Sequence, residues 1–140
     1  MSSLTTINPY LGFNGNCAEA FKFYAEVLGG ELLLMTYAET PMANDFPGEL
    51  GQRIIYASLK NGEQLLMGGY APPDRKCEVQ GITVNLGFSD VAESERVFKA
   101  LSEDGVIDMP LEKTFWAEKF GMLTDRYGIP WMINCAKECQ

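Results

Sequence analysis

The pattern of apolar and polar residues predicts two elements near the start of the chain. Residues 6–13, TINPYLGF, alternate and are rich in β-forming residues, which predicts a strand. The segment that follows carries apolar residues at intervals of three and four, which predicts a helix with one buried side. These residues are Cys17, Phe21, Tyr24 and Leu28. Gly29 and Gly30 then end the helix, because glycine tolerates the left-handed conformation found at helix ends.

Three more strands are predicted in the first half of the chain. They are ELLLMTY (31–37), QRIIYASLK (52–60) and EQLLMGGY (63–70). The Asn61-Gly62 dipeptide joins the last two in a tight hairpin. Residues 39–51 are rich in proline, glycine and acidic residues, so they are predicted to form a loop.

The second half repeats this order of elements. Leu-Gly-Phe occurs at 11–13 and returns 75 positions later at 86–88, and the same interval separates Phe23 from Phe98. The remaining strand segments of the copy are VIDMPLEKTFWAE (106–118), KFGMLTDRYG (119–128) and IPWMINCA (129–136). Residues 70–81, which contain paired prolines, are predicted to link the copies.

Both predicted helices have capping residues at their start. Asn16 is followed by Glu19 and Asp90 by Glu93, the spacing of a capping box. The second helix has Val91, Phe98 and Leu101 on its buried side and is expected to end at Gly105.

These elements predict an α+β fold of two βαβββ modules within one domain, residues 1–140. Module one covers about residues 5–70 and module two about 81–136. A four-stranded sheet with a helix on one face leaves its other face uncovered. Two such sheets are therefore expected to face each other around a cavity.

The composition excludes several classes of protein. The formal charge of −8 argues against nucleic acid and anionic membranes as partners, because both attract clustered basic residues. No apolar run is long enough to span a membrane and no signal peptide is evident, which favours a cytoplasmic protein. The chain has no histidine, so it has no Ser-His-Asp or Cys-His catalytic group and no histidine-bound metal. The spacing of the four cysteines, Cys17, Cys77, Cys135 and Cys139, favours free thiols.

Two segments resemble a known family. FNGNCAEAFKFYAEVLGGE (13–31) and TFWAEKFGMLTDRYGIPWMIN (114–134), together with the duplicated module, resemble the vicinal oxygen chelate superfamily, which includes glyoxalase I and bleomycin-resistance proteins. The likeness is strongest to its PhnB-like branch and extends over about residues 5–136. It implies paired βαβββ modules that assemble as a homodimer.

The resemblance also assigns four metal-ligand positions, which metal enzymes of this superfamily fill with His, Gln or Glu. In this sequence they are Asn8, Leu66, Thr83 and Met132. Such a set ligates a divalent ion poorly, because hard ions need anionic oxygens and borderline ions prefer imidazole or thiolate. We therefore expect no metal and no other cofactor.

Strand alternation predicts the residues that line the cavity. Leu11, Phe13, Leu86 and Phe88 are expected to pack under the helices, which turns the intervening residues to the other face. The predicted ligand-binding residues are Asn8, Tyr10, Gly12, Thr83, Asn85, Met132 and Asn134, with Gly87 beside them and Trp116 at the rim. The glycines are expected to leave space, and the amides suit a neutral or weakly polar ligand.

Several of these residues also have a purely structural interpretation. Trp131 shares its alternation with Ile133 and is expected in the core, whereas Trp116 fits either a strand or the rim of a pocket. Asp125 is expected to bond the backbone of its own turn. Glu112, a candidate catalytic residue, and Glu118 could act as a general base or lie at solvated strand ends.

Three hypotheses about function follow. The first is a protein that binds a small molecule in the cavity without a catalytic metal. The second is an enzyme of the same superfamily that uses Glu112, a carboxylate of residues 39–51 or an unrecognised metal site. The third is a dimeric protein with a structural role. A molecule carried through purification would distinguish the first from the third.

Overall fold

The computed structural model describes residues 6–71 and 81–137. The chain divides into two compact units, residues 1–77 and 78–140, and each is taken here by itself. Each unit contains one helix and one four-stranded mixed sheet, so the predicted α+β fold of two βαβββ modules is confirmed. Most of the predicted linker, residues 72–80, lies outside the described residues.

The first unit follows the predicted order of elements. The chain runs through β1 (Tyr10–Phe13), α1 (Cys17–Leu28), β2 (Glu31–Thr36), β3 (Ile54–Asn61) and β4 (Gln64–Tyr70). The strand order in the sheet is β1-β4-β3-β2, and only the pairing of β1 with β4 is parallel. Between β2 and β3 lie three short 3-10 turns at Tyr37–Glu39, Ala43–Asp45 and Gly48–Gln52, which extend the predicted loop of residues 39–51 by two residues at the start and one at the end.

The second unit repeats this topology. Its elements are β5 (Val84–Phe88), α2 (Val91–Ser102), β6 (Val106–Glu112), β7 (Ala117–Thr124) and β8 (Pro130–Ala136). The strand order is β5-β8-β7-β6, with β5 parallel to β8. Residues 113–116 connect β6 to β7, so Trp116 lies in a connection and not inside a strand as the sequence suggested.

In the first unit the helix packs on Leu11 and Phe13, as alternation predicts. Both side chains are buried, and the Phe13 ring meets the Phe21 ring edge to face with centroids 6.0 Å apart. The buried residues of α1 are Cys17, Ala20, Phe21, Tyr24 and Val27. Leu28, predicted in this set, is only half-buried, and Val27 takes its place.

In the second unit the core is built under α2 from β7 and β8. Leu123, Trp131, Ile133 and Cys135 have no exposed surface. The prediction that Trp131 is a core residue is therefore confirmed. The buried residues of α2 are Ser94, Val97, Phe98 and Leu101. Val91, predicted on this side, is half-buried.

The two helices do not pack in the 75-residue register that the sequence suggested. Phe23 is half-buried, whereas Phe98 is buried and lies against Gly121. Phe21 holds the matching place in the first unit, because the buried residues Cys17, Ala20, Phe21 and Tyr24 of α1 have the same spacing as Ser94, Val97, Phe98 and Leu101 of α2. The repeated phenylalanine therefore marks different helix faces in the two copies.

The predicted helix ends are partly correct. Asp90 caps α2 by accepting a hydrogen bond from the Ala92 backbone N–H, at 3.3 Å, whereas Asn16 makes no side-chain capping bond although α1 begins directly after it. Glu93 does not complete a capping box but receives hydrogen bonds from Arg96. At the end of α2 the left-handed residue is Asp104, with φ 63°, and not Gly105.

Asp125 organises the segment DRYGIPW (125–131) of the second unit through its side-chain hydrogen bonds. Its Oδ1 accepts hydrogen bonds from the backbone N–H groups of Tyr127 and Ile129, and its Oδ2 accepts one from the Trp131 indole at 2.8 Å. The predicted bonding to its own turn is confirmed. The carboxylate also fixes the largest buried side chain of the unit.

Cys17 and Cys135 are buried free thiols, as the cysteine spacing favoured. Cys77 and Cys139 lie outside the described residues. Across 6–71 and 81–137, neither helix has the length and apolar character needed to span a membrane.

Candidate ligand-binding faces

Each sheet has a helix-free face, which we define as the face opposite its helix. In the first sheet, register and alternation place Tyr10 and Gly12 of β1 on this face, next to Met67 and Gly69 of β4. The remaining members from β2 and β3 are Leu33, Met35, Tyr56 and Ser58. Alternation therefore placed Tyr10 and Gly12 correctly.

Tyr10 partly fills the helix-free face of the first sheet. Its hydroxyl lies over Gly69, where any side chain would collide with it. Burial raises the pKa of the Tyr10 phenol, and the nearby Cys17, Tyr37 and Tyr56 raise it further. The phenol is thus held protonated and can donate a hydrogen bond.

Gly12 is less open than the sequence suggested. A Cβ atom added there would lie 3.3 Å from the Cβ of Ala71, which is a tight contact. The expectation of free space above this glycine is therefore corrected, because the chain leaving β4 passes close to it.

The second sheet presents two rows of residues in register. The first row runs Gly87, Asn134, Phe120 and Glu112 across β5, β8, β7 and β6. The second row is Asn85, Met132, Met122 and Met109. These rows form a face of thioethers and one aromatic ring, with the two amides as uncharged polar groups.

Gly87 leaves open space on this face. No heavy atom among the described residues lies within 4 Å of the position that its Cβ would occupy. A group of atomic size can therefore approach the sheet beside Asn134, as the sequence predicted for a glycine here.

Trp116 extends the aromatic part of this face. Its ring meets the Phe120 ring edge-on with centroids 5.3 Å apart, and it contacts Phe115 at 4.8 Å. Half of the Trp116 surface is exposed. The structure thus brings Trp116 to the same face as Asn134 through Phe120, a residue that the sequence interpretation missed although its alternation with Met122 could have revealed it.

The two amides of the face differ in environment. Asn85 is exposed, whereas Oδ1 of Asn134 is shielded from solvent and accepts no hydrogen bond in the described part of the chain. Thr83 precedes β5 and is half-buried, and Met132 is half-buried between Asn85 and Met122 in its row.

The residues at the assigned metal-ligand positions do not fit a divalent ion. Asn8 lies before β1 and donates its Nδ2 hydrogen bond to the Leu65 carbonyl, at 3.2 Å. Leu66 is wrongly assigned, because it pairs with Leu59 on the helix side and is buried there. Met67 holds the position that corresponds to Met132, so a thioether replaces a carboxylate in both units. Within 6–71 and 81–137, His, Cys, Asp and Glu form no group of three that could hold a metal.

The candidate acids lie at the margin of this face. Glu112 is the register partner of Phe120 but is exposed, and Glu118 of β7 is half-buried. Glu112 therefore ends the row that contains Asn134 without being enclosed, and Glu118 belongs to neither row.

A half-buried arginine at the start of β3 was also missed from the sequence. The Arg53 guanidinium lies over the Tyr70 ring, 5.5 Å from its centroid, and Nη1 donates to the Gly15 carbonyl at 3.4 Å. Strand alternation could not predict the hydrogen bond to Gly15, because that bond depends on the turn before α1.

Comparison with known proteins agrees with this architecture. The family model of the Glyoxalase/Bleomycin resistance protein/Dioxygenase superfamily matches residues 6–133. Protein YjdN of Escherichia coli K12 is 36% identical, and the alignment covers 94% of this chain and 96% of YjdN.

Among the solved structures that resemble this chain are two of bacterial proteins. The structure of protein PA1353 from Pseudomonas aeruginosa is 40% identical with a TM-score of 0.86, over 96% of this chain and all of that one. The PhnB protein from Bacillus cereus is 27% identical with a TM-score of 0.77, over 94% of this chain and all of that one.

Proposed function

Because the chain belongs to the Glyoxalase/Bleomycin resistance protein/Dioxygenase superfamily, we propose that it binds a small neutral or weakly polar molecule on the helix-free face of its second sheet. The observation that carries this proposal is the face itself. The open space over Gly87 lies at one end of a face that carries methionines, Phe120 and Trp116, with Asn85 and Asn134 as uncharged polar groups. Apolar walls with a few polar groups are typical of small-molecule sites.

A panel of small aromatic compounds, followed by NMR shifts of backbone amides, tests this proposal. We expect compounds that bind to shift amides of β5, β7 and β8. Phe120→Ala should weaken that binding by up to about tenfold, because a contact between two aromatic rings contributes about 0.5–1.5 kcal/mol. Phe46→Ala, which removes a ring stacked on Tyr37 in the first unit, is the control. A panel that shifts no amide of these strands would contradict the proposal.

We propose that this binding needs no catalytic metal. Asn8, Thr83 and the thioethers of Met67 and Met132 supply no anionic ligand at the positions that the family likeness assigns. Elemental analysis of protein purified without a histidine tag should find far less than one Zn, Ni, Mn or Fe ion per chain.

An enzyme of the same superfamily is the second candidate, and the position of Glu112 favours it. This carboxylate is in register with Phe120 and could reach a molecule resting on that ring. Its exposure to water favours binding over proton transfer at this position. Substrate turnover that Glu112→Gln abolishes, with binding unchanged, would establish the enzyme.

We also propose a homodimer. The edge strands β2 and β6 expose apolar side chains, including Leu33, Val106 and Ile107, each at least half exposed. Exposed edges of this kind are commonly covered by a second copy. Light scattering should give about 31 kDa, twice the 15.5 kDa of one chain, and a monomer at micromolar concentration would contradict it.

A further inference from the structure

The side-chain carbonyl of Asn134 is a buried acceptor that has no donor among the described residues. Oδ1 is shielded from solvent and has no hydrogen-bond partner in the described residues. Asn85, the other amide of the same face, is exposed and can bond water. Buried polar atoms in folded proteins nearly always have a partner, so the isolated Oδ1 requires an explanation.

The surroundings of Asn134 define what could supply the missing hydrogen. Phe120 is its register partner on β7, and Gly87 is its partner on β5. The space over Gly87 is open, and Phe120 lies across Asn134 from Gly87 in the same row. Because Oδ1 itself is shielded, a donor placed over Gly87 can reach it once the Asn134 amide turns toward this space, while the rest of a flat molecule rests on the aromatic ring.

We propose that Asn134 determines specificity on this face by accepting a hydrogen bond from an N–H or O–H group of a planar ligand. This inference rests on the proposed function and adds the chemical class of the ligand, an uncharged aromatic molecule with a donor at its edge. A molecule of the same shape that lacks the donor would leave the carbonyl unpaired and bind more weakly.

A matched pair of probes tests the inference. Benzimidazole carries a ring N–H, and 1-methylbenzimidazole replaces it with a methyl group. NMR titration should show benzimidazole binding about three- to tenfold more tightly, the range expected for one hydrogen bond. Asn134→Asp, which keeps an acceptor, should retain the preference, and Asn134→Leu should abolish it.

Two controls separate this role from a steric or structural one. Gln64→Leu removes an exposed amide of the first unit, outside this face, and should leave the preference unchanged. The melting temperature of Asn134→Leu should equal or exceed that of the natural protein, because an apolar group replaces an unpaired amide. If Asn134→Leu did not fold, Asn134→Ala would remove the acceptor without adding bulk.

Equal affinity for both probes, or a preference that persists in Asn134→Leu, would overturn the inference and leave the proposed function standing. The same holds if other aromatic compounds bind this face and the pair does not. If no compound of the panel binds it, the proposed function falls as well.

Discussion

The helix-free faces of the two sheets differ although the sheets share one topology. In the first, Gly12 and Gly69 lie side by side, and the Tyr10 hydroxyl covers Gly69. In the second, Gly87 lies beside Asn134, and the space over Gly87 stays open. Gly69 and Asn134 hold matching positions, so a glycine covered by a tyrosine hydroxyl in one copy is replaced by an amide beside open space in the other.

On the helix sides, by contrast, both units place a buried phenylalanine of the helix against a glycine of the sheet, although Gly68 belongs to β4 and Gly121 to β7. Gly68 lies against the Phe21 ring in the first unit and Gly121 against the Phe98 ring in the second. Because a packed interior tolerates little change of volume, the side under the helix constrains the sequence strongly. Among the described residues of the same unit, no helix packs on the other face, so differences in binding can arise there at little cost to the fold.

The largest effect on stability is expected at Asp125, whose carboxylate accepts the hydrogen bonds that hold the turn between β7 and β8. Asp125→Ala should lower the free energy of unfolding by about 3–5 kcal/mol, because it leaves two backbone N–H groups and the Trp131 indole without their acceptor. Asn61→Ala in the matching hairpin of the first unit is the control. It removes one exposed bond to the Leu28 carbonyl and should cost about 1 kcal/mol or less.

Urea denaturation measures both variants. Equal losses for the two would show that Asp125 serves only its local turn. A much larger loss for Asp125→Ala would show that the carboxylate supports the core through Trp131.

The next largest effect is a loss of stability at alkaline pH, which is expected from α1 and not from α2. Burial raises the pKa of the Cys17 thiol in α1 to about 12, from an ordinary value near 9. The buried Ser94 in α2 carries a hydroxyl that does not ionise in this range. Because the folded state holds the proton more tightly, the contribution of Cys17 to stability is complete below pH 9 and is lost as the pH rises toward 12.

The expected loss for Cys17 is about 2–4 kcal/mol across this window, since one pKa unit corresponds to about 1.4 kcal/mol. Cys17→Ser should flatten the stability curve between pH 9 and 12. Any change that Cys17→Ser makes to the free energy of unfolding at pH 7 should be measured separately. A curve that falls equally in Cys17→Ser would assign the alkaline loss to other groups, and Tyr10, whose pKa burial also raises, would be the first to replace by phenylalanine.

The strand faces could largely be predicted from the sequence where a helix covers one side. Leu11 and Phe13 are buried and the intervening Gly12 is exposed, so simple alternation placed them correctly. The same reasoning placed Asn85, Gly87, Met132 and Asn134 on one face. Here the hydrophobic effect distinguishes two sides of a strand, and a period of two suffices.

The prediction failed where no such contrast exists. Leu65, Leu66 and Met67 are all apolar, so their pattern could not show that Leu66 faces the helix. Strand β6 is exposed along nearly its whole length, and its end before Trp116 had no sequence signal. The tight approach of Ala71 to Gly12 depends on the path of the chain after β4 and lies beyond any alternation rule.

The smallest effect on stability is expected at Gly87, where the comparison of the two faces is most direct. Gly87→Leu should change the free energy of unfolding by less than about 0.5 kcal/mol, because the new side chain enters open space on an exposed strand. Gly12→Leu should cost about 1 kcal/mol or more, since its Cβ begins 3.3 Å from that of Ala71.

Only Gly87→Leu should also block the aromatic probes, as it fills the space beside Asn134. Urea curves and NMR titrations of the two variants measure both outcomes. If Gly12→Leu blocked the probes and Gly87→Leu did not, binding would belong to the first sheet, and the contrast between the two faces would be reversed.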